Sequence, residues 1–127
     1  MQERHLFEYA VIRIVPRVER EEFLNAGVIV YCKSLRFLDM KYVVNHEKLH
    51  AFAPDIDCNE LKEHLTAFAS ICAGKKDAGP IALLEPALRF RWLTAWRSTI
   101  VQTSRVHPGL TADADATLIR LFEQLVL

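Results

Sequence analysis

The sequence predicts an α+β fold, a small and mainly antiparallel sheet packed against two main helices. Three observations predict it. Runs rich in β-branched and aromatic residues crowd the chain before Asn45. Two later segments space apolar residues by three and four, between capping and stop signals. The links between the early runs are also too short for the crossovers that parallel strands need.

Composition frames these elements. The chain has 127 residues, of which 51% are hydrophobic and 25% charged. That fits a single compact domain over residues 1–127 and excludes a disordered tail or a fibrous repeat. Sixteen basic and sixteen acidic side chains cancel, which argues against coating nucleic acid or anionic membrane by bulk attraction. The longest uncharged run, residues 64–74, falls well short of the ~20 apolar residues of a membrane-spanning helix. Charges in MQERHLFEYA stand where a signal peptide needs an apolar stretch, so the expected location is the cytoplasm. Cys32, Cys58 and Cys72 show no CxxC spacing. On one helix, Cys58 and Cys72 would stand about 21 Å apart, beyond the ~7 Å that a disulfide tolerates. All three read as small buried thiols.

Residues 7–15 (FEYAVIRIV) close at Pro16 and read as the first strand. Residues 28–33 and 37–44 read as two more, with Ser34, Leu35 and Arg36 as a hairpin link. The connection over residues 17–27 carries the charge cluster Glu19, Arg20, Glu21 and Glu22, and holds either one helical turn or a wide loop. The best-specified helix spans residues 58–73. Asp57 is its N-cap, Glu60 completes a capping-box pair, and Ile56 and Leu61 form a hydrophobic staple. Cys58, Leu61, Leu65, Phe68 and Cys72 make its apolar stripe, and Gly74 stands at C′.

Gly79-Pro80 breaks the chain and Pro86 interrupts the next stretch, so residues 81–90 hold at best a short helix or two turns. Residues 99–103 (TIVQT) read as a strand, and His107-Pro108-Gly109 as a turn. A last helix covers residues 112–126, capped by Thr111, with Ala114, Leu118, Leu121 and Leu125 facing the core.

One motif matches a known catalytic pattern. His46-Glu47-Lys48-Leu49-His50 is H-E-x-x-H, which on a helix sets both imidazoles toward one Zn²⁺ while the glutamate polarises a bound water. The metal reading of His46, Glu47 and His50 is disfavoured. A strand-like run ends at Val44 and Pro54 stands shortly after His50, leaving little room for a helix. Glu60 is spent on capping, and Glu63 stands in no third-ligand motif. A solvated helical turn or loop is the better reading, and no metal or cofactor is assigned.

Charge is unevenly placed. Residues 86–112 hold no carboxylate, while Arg89, Arg91, Arg97 and Arg105 alternate with Phe90, Trp92 and Trp96. Arginine with aromatics makes protein-interface anchors or a single-strand stacking surface. The plainer reading packs both tryptophans in the core and leaves the arginines solvated or paired to the acidic segment at residues 47–63. Arg97, Ser98, Gln102 and His107 form a second polar group. His107 has no partner fixed by the sequence and reads better as a turn histidine than as a general acid or base.

Together, YAVIRIVP at residues 9–16, REEFLNAGVIV at residues 20–30 and RFRWLTAWRSTIVQTSRVHPGL at residues 89–110 resemble the motifs of a bacterial family, domain of unknown function 3037. That family has no established activity. Its members are often encoded beside a HipA-like kinase, so the resemblance implies a small partner or regulator of such a kinase. The polar positions that match its motifs are Arg13, Glu22, Asn25, Arg97, Ser98, Gln102 and His107.

The leading reading is a non-catalytic interaction or regulatory protein that meets a protein partner through Arg91, Trp92 and Trp96. The alternative is a phosphate or nucleic-acid binding domain using Arg13, Arg97 and their neighbours, with His107 acting on a phosphodiester. A zinc hydrolase is the remote alternative. The readings diverge on whether Arg13, Asn25, Arg97, Ser98 and His107 converge on one concave pocket.

Overall fold

The computed structural model describes residues 3–127. Its centre is β1 (His5–Ile14), which pairs antiparallel with β2 (Leu24–Cys32) along one side. β2 in turn pairs antiparallel with β3 (Phe37–Tyr42) through a tight turn, where Arg36 takes a positive φ of 52°. The other side of β1 is shared by two short strands. β4 (Val101–Thr103) pairs with residues Ile12 to Ile14, and β5 (His107–Thr111) pairs with residues His5 to Tyr9. The α+β architecture with an antiparallel sheet is therefore observed, with one strand more than the sequence predicts.

Alternation along β1 divides the core in two. Ala10, Ile12 and Ile14 point to one face and pack with Leu49, Leu61, Leu65, Phe68, Phe90 and Leu93. Those partners come from α1 (His46–Phe52), α2 (Cys58–Cys72) and α3 (Pro86–Leu93). Phe7, Val28, Val30 and Cys32 point to the opposite face and pack under Ala114, Leu118 and Leu121 of α4 (Ala114–Leu125). The sheet is thus covered on both faces, which explains why β1 and β2 read as nearly continuous apolar runs. α4 lies against β2 and β3, so the part of its face formed by β1 and β4 carries little helix above it.

α2 forms as its caps require. Asp57 accepts hydrogen bonds from the backbone N–H groups of Asn59 and Glu60, at 3.0 and 3.1 Å. At the other end Gly74 takes φ 68°, its N–H bonds Ile71, and Lys75 bonds Ser70, which closes a Schellman motif. Glu60 does not return the capping-box bond; its carboxylate lies 3.8 Å from the His64 imidazole.

Several boundaries differ from expectation for physical reasons. The connection before β2 keeps to one of its two expected forms, a single 3-10 turn, Val18–Arg20. Pro86 starts α3 instead of interrupting it, since the first helical turn needs no N–H from that residue. The first of the two late strands begins at Val101, not at residue 99. His107, Pro108 and Gly109 lie in β5 and not in a turn. Pro108 is tolerated because β5 is an edge strand, and Gly109 is required because a Cβ there would stand 2.5 Å from the Phe7 ring. α4 begins two residues later than expected. Asp113 caps it by accepting from Ala116 N–H at 3.1 Å, while the Thr111 hydroxyl is bound to Asp113 and to Thr117 instead. HEKLH takes the helical one of the two solvated forms expected for it, making up most of the seven-residue α1 under an Asn45 cap. Cys58 is exposed, so only Cys32 and Cys72 are buried thiols. Among the described residues, no helix is long and apolar enough to cross a membrane.

Candidate functional site

The predicted site residues divide between two places. The first is a row across three strands on the α4 face of the sheet. Arg13 of β1 stands opposite Asn25 of β2 and opposite Gln102 of β4, so the three side chains lie side by side. A β-bulge creates the pairing: Ile12 opposes Gly27 but Arg13 opposes Asn25, and Ala26 is the extra residue.

Asn25 is fixed by a 3.1 Å hydrogen bond from its Nδ2 to the carbonyl of Leu125, near the end of α4. That leaves its Oδ1 buried with no hydrogen-bond partner. Gln102 donates at 2.9 Å to the carbonyl of Thr99. The Arg13 guanidinium lies 3.9 Å from the ring centroid of Phe23, an exposed side chain just ahead of β2. The Arg13 Nε is buried without a partner, and no carboxylate reaches ion-pair distance of it among the described residues. Burial lowers the pKa of Arg13, the expected sign for a cation that loses water and gains no counter-charge.

Farther along the same face, Tyr9 stands opposite His107, and their rings lie 5.3 Å apart. Four residues separate Tyr9 from Arg13, about 13 Å along a strand. His107 therefore lies on the Arg13 face but a considerable way along it.

The second place is the outer side of α3 and the segment after it. Trp92 is 39% exposed and Trp96 is 83% exposed. The reading that packs both tryptophans in the core is therefore incorrect: α3 turns Phe90 and Leu93 inward and leaves its other side to solvent. Leu88, one helical turn before Trp92, is 49% exposed, and Leu83 and Leu84 just before the helix are exposed as well. Arg91 is exposed beside them. Arg97 stacks its guanidinium 4.2 Å from the Trp92 ring centroid and donates to the Trp92 carbonyl. Burial lowers its pKa too, although it remains only partly covered.

Arg13, Asn25, Arg97, Ser98 and His107 thus do not converge on one pocket. Arg97 belongs with α3, in the helix layer on the opposite face of the sheet from Arg13. Ser98 is exposed beyond it. Glu22 is taken up by an exposed ion pair with Arg20. The residues that sequence reasoning misses are Phe23, Leu83, Leu84 and Leu88. Apolar side chains left exposed carry no local signal that separates them from core.

The H-E-x-x-H residues His46, Glu47 and His50 are all exposed on α1. They line a shallow cavity of ≈350 Å³ with Pro54, Ile56 and Cys58. Among the described residues, no three His, Cys, Asp or Glu side chains are grouped so as to hold a metal ion.

No curated protein and no solved structure shows significant similarity to the chain. A family profile, described as "Protein of unknown function (DUF3037)", matches residues 9–126. With all but the first eight residues and the last one inside that match, the chain belongs to this family.

Proposed function

We propose that the protein is a non-catalytic interaction module whose contact face is the outer side of α3 with the segment immediately after it. The observation that carries this reading is the exposure of Trp96, at 83%, beside the partly exposed Trp92 and Leu88. Large apolar side chains gain by leaving water, and a monomer that leaves several of them together on one side keeps surface available for a partner. Tryptophan and arginine are also the residue types that most often anchor interfaces. The absence of carboxylates from residues 86–112 adds a preference for a partner with acidic groups around an apolar centre.

A HipA-like kinase, the partner that the family resemblance implies, fits this proposal as the first protein to test. Calorimetric titration of the purified kinase with the wild-type chain and with Trp96→Ala measures the contact directly. The expected result is saturable binding that weakens about tenfold or more in the variant, the size of a lost anchor. Equal affinities would remove α3 from the interface.

A further inference from the structure

β3 closes one end of the sheet, and among the described residues no strand pairs with its outer side. Val43 N–H bonds the Ala26 carbonyl at 2.8 Å, which places the odd-numbered residues of β3 in the ladder with β2. Alternation then turns the N–H and C=O groups of Leu38, Met40 and Tyr42 outward. The Met40 N–H is accordingly held, at 2.8 Å, by the carboxylate of the preceding residue, Asp39. The side chains divide by face. Phe37 packs under α4 and Lys41 lies over the Phe122 ring, so Asp39 between them belongs to the α4 face as well. Leu38 and Met40 pack on the opposite face, with the helix layer. Asp39 and Lys41 are exposed, and neither has an ion-pair partner among the described residues.

We infer that β3 pairs antiparallel with β3 of a second copy of this chain, across a two-fold axis at Met40, joining two sheets edge to edge. Charge selects both the occupant and the register. With the axis at Met40, Asp39 stands opposite Lys41 of the second copy, twice over, and Leu38 stands opposite Tyr42. An axis at Asp39 or at Lys41 would instead set like charges opposite each other. Forming the pair releases each Met40 N–H from its own Asp39, which turns to the lysine across the axis. The freed N–H then bonds the Met40 carbonyl of the second copy, as strand addition at a free edge requires. α4 fits the same geometry. It lies against β2 and β3, so the two copies of α4 stand two strand spacings apart, about 10 Å, the separation of packed helices. Ile119 is exposed three residues before Phe122, on the flank of α4 that the second helix covers.

Sedimentation equilibrium of the full chain tests the pairing. The wild type should sediment as a dimer at about 100 μM, and a monomer at that concentration overturns the inference. Asp39→Lys and Lys41→Asp should each lose the dimer, because each sets two like-charged pairs across the axis. An equimolar mixture of the two variants should recover it, since the lysines of one copy then face the aspartates of the other. Recovery also shows that both variants are folded. Single variants that remain dimers, or a mixture that stays monomeric, overturn the pairing. Trp96→Ala, on the other contact face, should leave the dimer intact. Loss of the dimer in Trp96→Ala would move the self-contact to α3 and overturn the inference, and this arm stands even if the charge variants do not fold.

Discussion

The Arg97 guanidinium lies 4.2 Å from the centroid of the Trp92 ring and also donates a hydrogen bond to the Trp92 carbonyl. One arginine thus stiffens an exposed aromatic at the end of α3, where the chain leaves the helix for β4. Pre-ordering an anchor lowers the entropy lost when a partner covers it.

Substitutions on the two sides of α3 should therefore separate fold from contact. Trp96→Ala should change stability by no more than about 0.5 kcal/mol, as for other surface positions. Leu93→Ala, at a side chain that is 1% exposed, should cost about 2–5 kcal/mol through the cavity it leaves. Urea unfolding of both variants checks this. A Trp96 variant as unstable as the Leu93 variant would place that indole in the core.

Ser104 stands in for a missing ladder bond. Its Oγ accepts from Val11 N–H at 2.8 Å and donates to the Arg105 carbonyl at 2.9 Å, where the chain passes from β4 toward β5. Ser104→Ala leaves a buried backbone N–H without a partner and should cost about 1–3 kcal/mol. The same unfolding measurement reads it, and an unchanged midpoint would mean that water or a shifted strand replaces the hydroxyl.

The three cysteines should differ in reactivity. Burial pushes the Cys72 thiol up to about 12, so at neutral pH it holds almost no thiolate. Cys32 is buried and lies 3.4 Å from the Leu6 carbonyl, while Cys58 is exposed at the start of α2. Brief iodoacetamide treatment of the native protein, followed by mass spectrometry, should label Cys58 alone. Labelling of Cys72 at a similar rate would contradict the packing of α2.

Glu22 should titrate with Arg20. A hydrogen bond from Arg20, and then its charge, hold the Glu22 carboxyl below the usual carboxylate range. A folded-state pKa that is depressed contributes stability above the unfolded value and loses it as pH falls through the folded one. Both side chains are exposed, so screening keeps that contribution small. NMR titration of Arg20→Gln should return Glu22 toward its ordinary pKa, and an unmoved value would remove the pair as the cause.

Which features the sequence announces depends on how local their causes are. β1 and α2 are legible because their signals are short-range: a dense apolar run before Pro16, and Asp57 and Gly74 at helix ends. β5 is not, because Pro108 and Gly109 are turn residues by composition. Only the edge position and the Phe7 ring, about a hundred residues earlier, make a strand of them. Arg13, Asn25 and Gln102 each stand out in the sequence, yet their alignment depends on strand register and on the bulge at Ala26, which no single segment encodes. The exposure of the tryptophans is hidden for a similar reason, since core and interface draw on the same residues.

Amide hydrogen exchange of the full chain, alone and with the HipA-like kinase, tests the contact face most directly. Exchange within residues 83–97 should slow on adding the kinase, while exchange along β1 stays unchanged. Protection centred on the Arg13, Asn25 and Gln102 row, with residues 83–97 unaffected, would rule out α3 as the contact face.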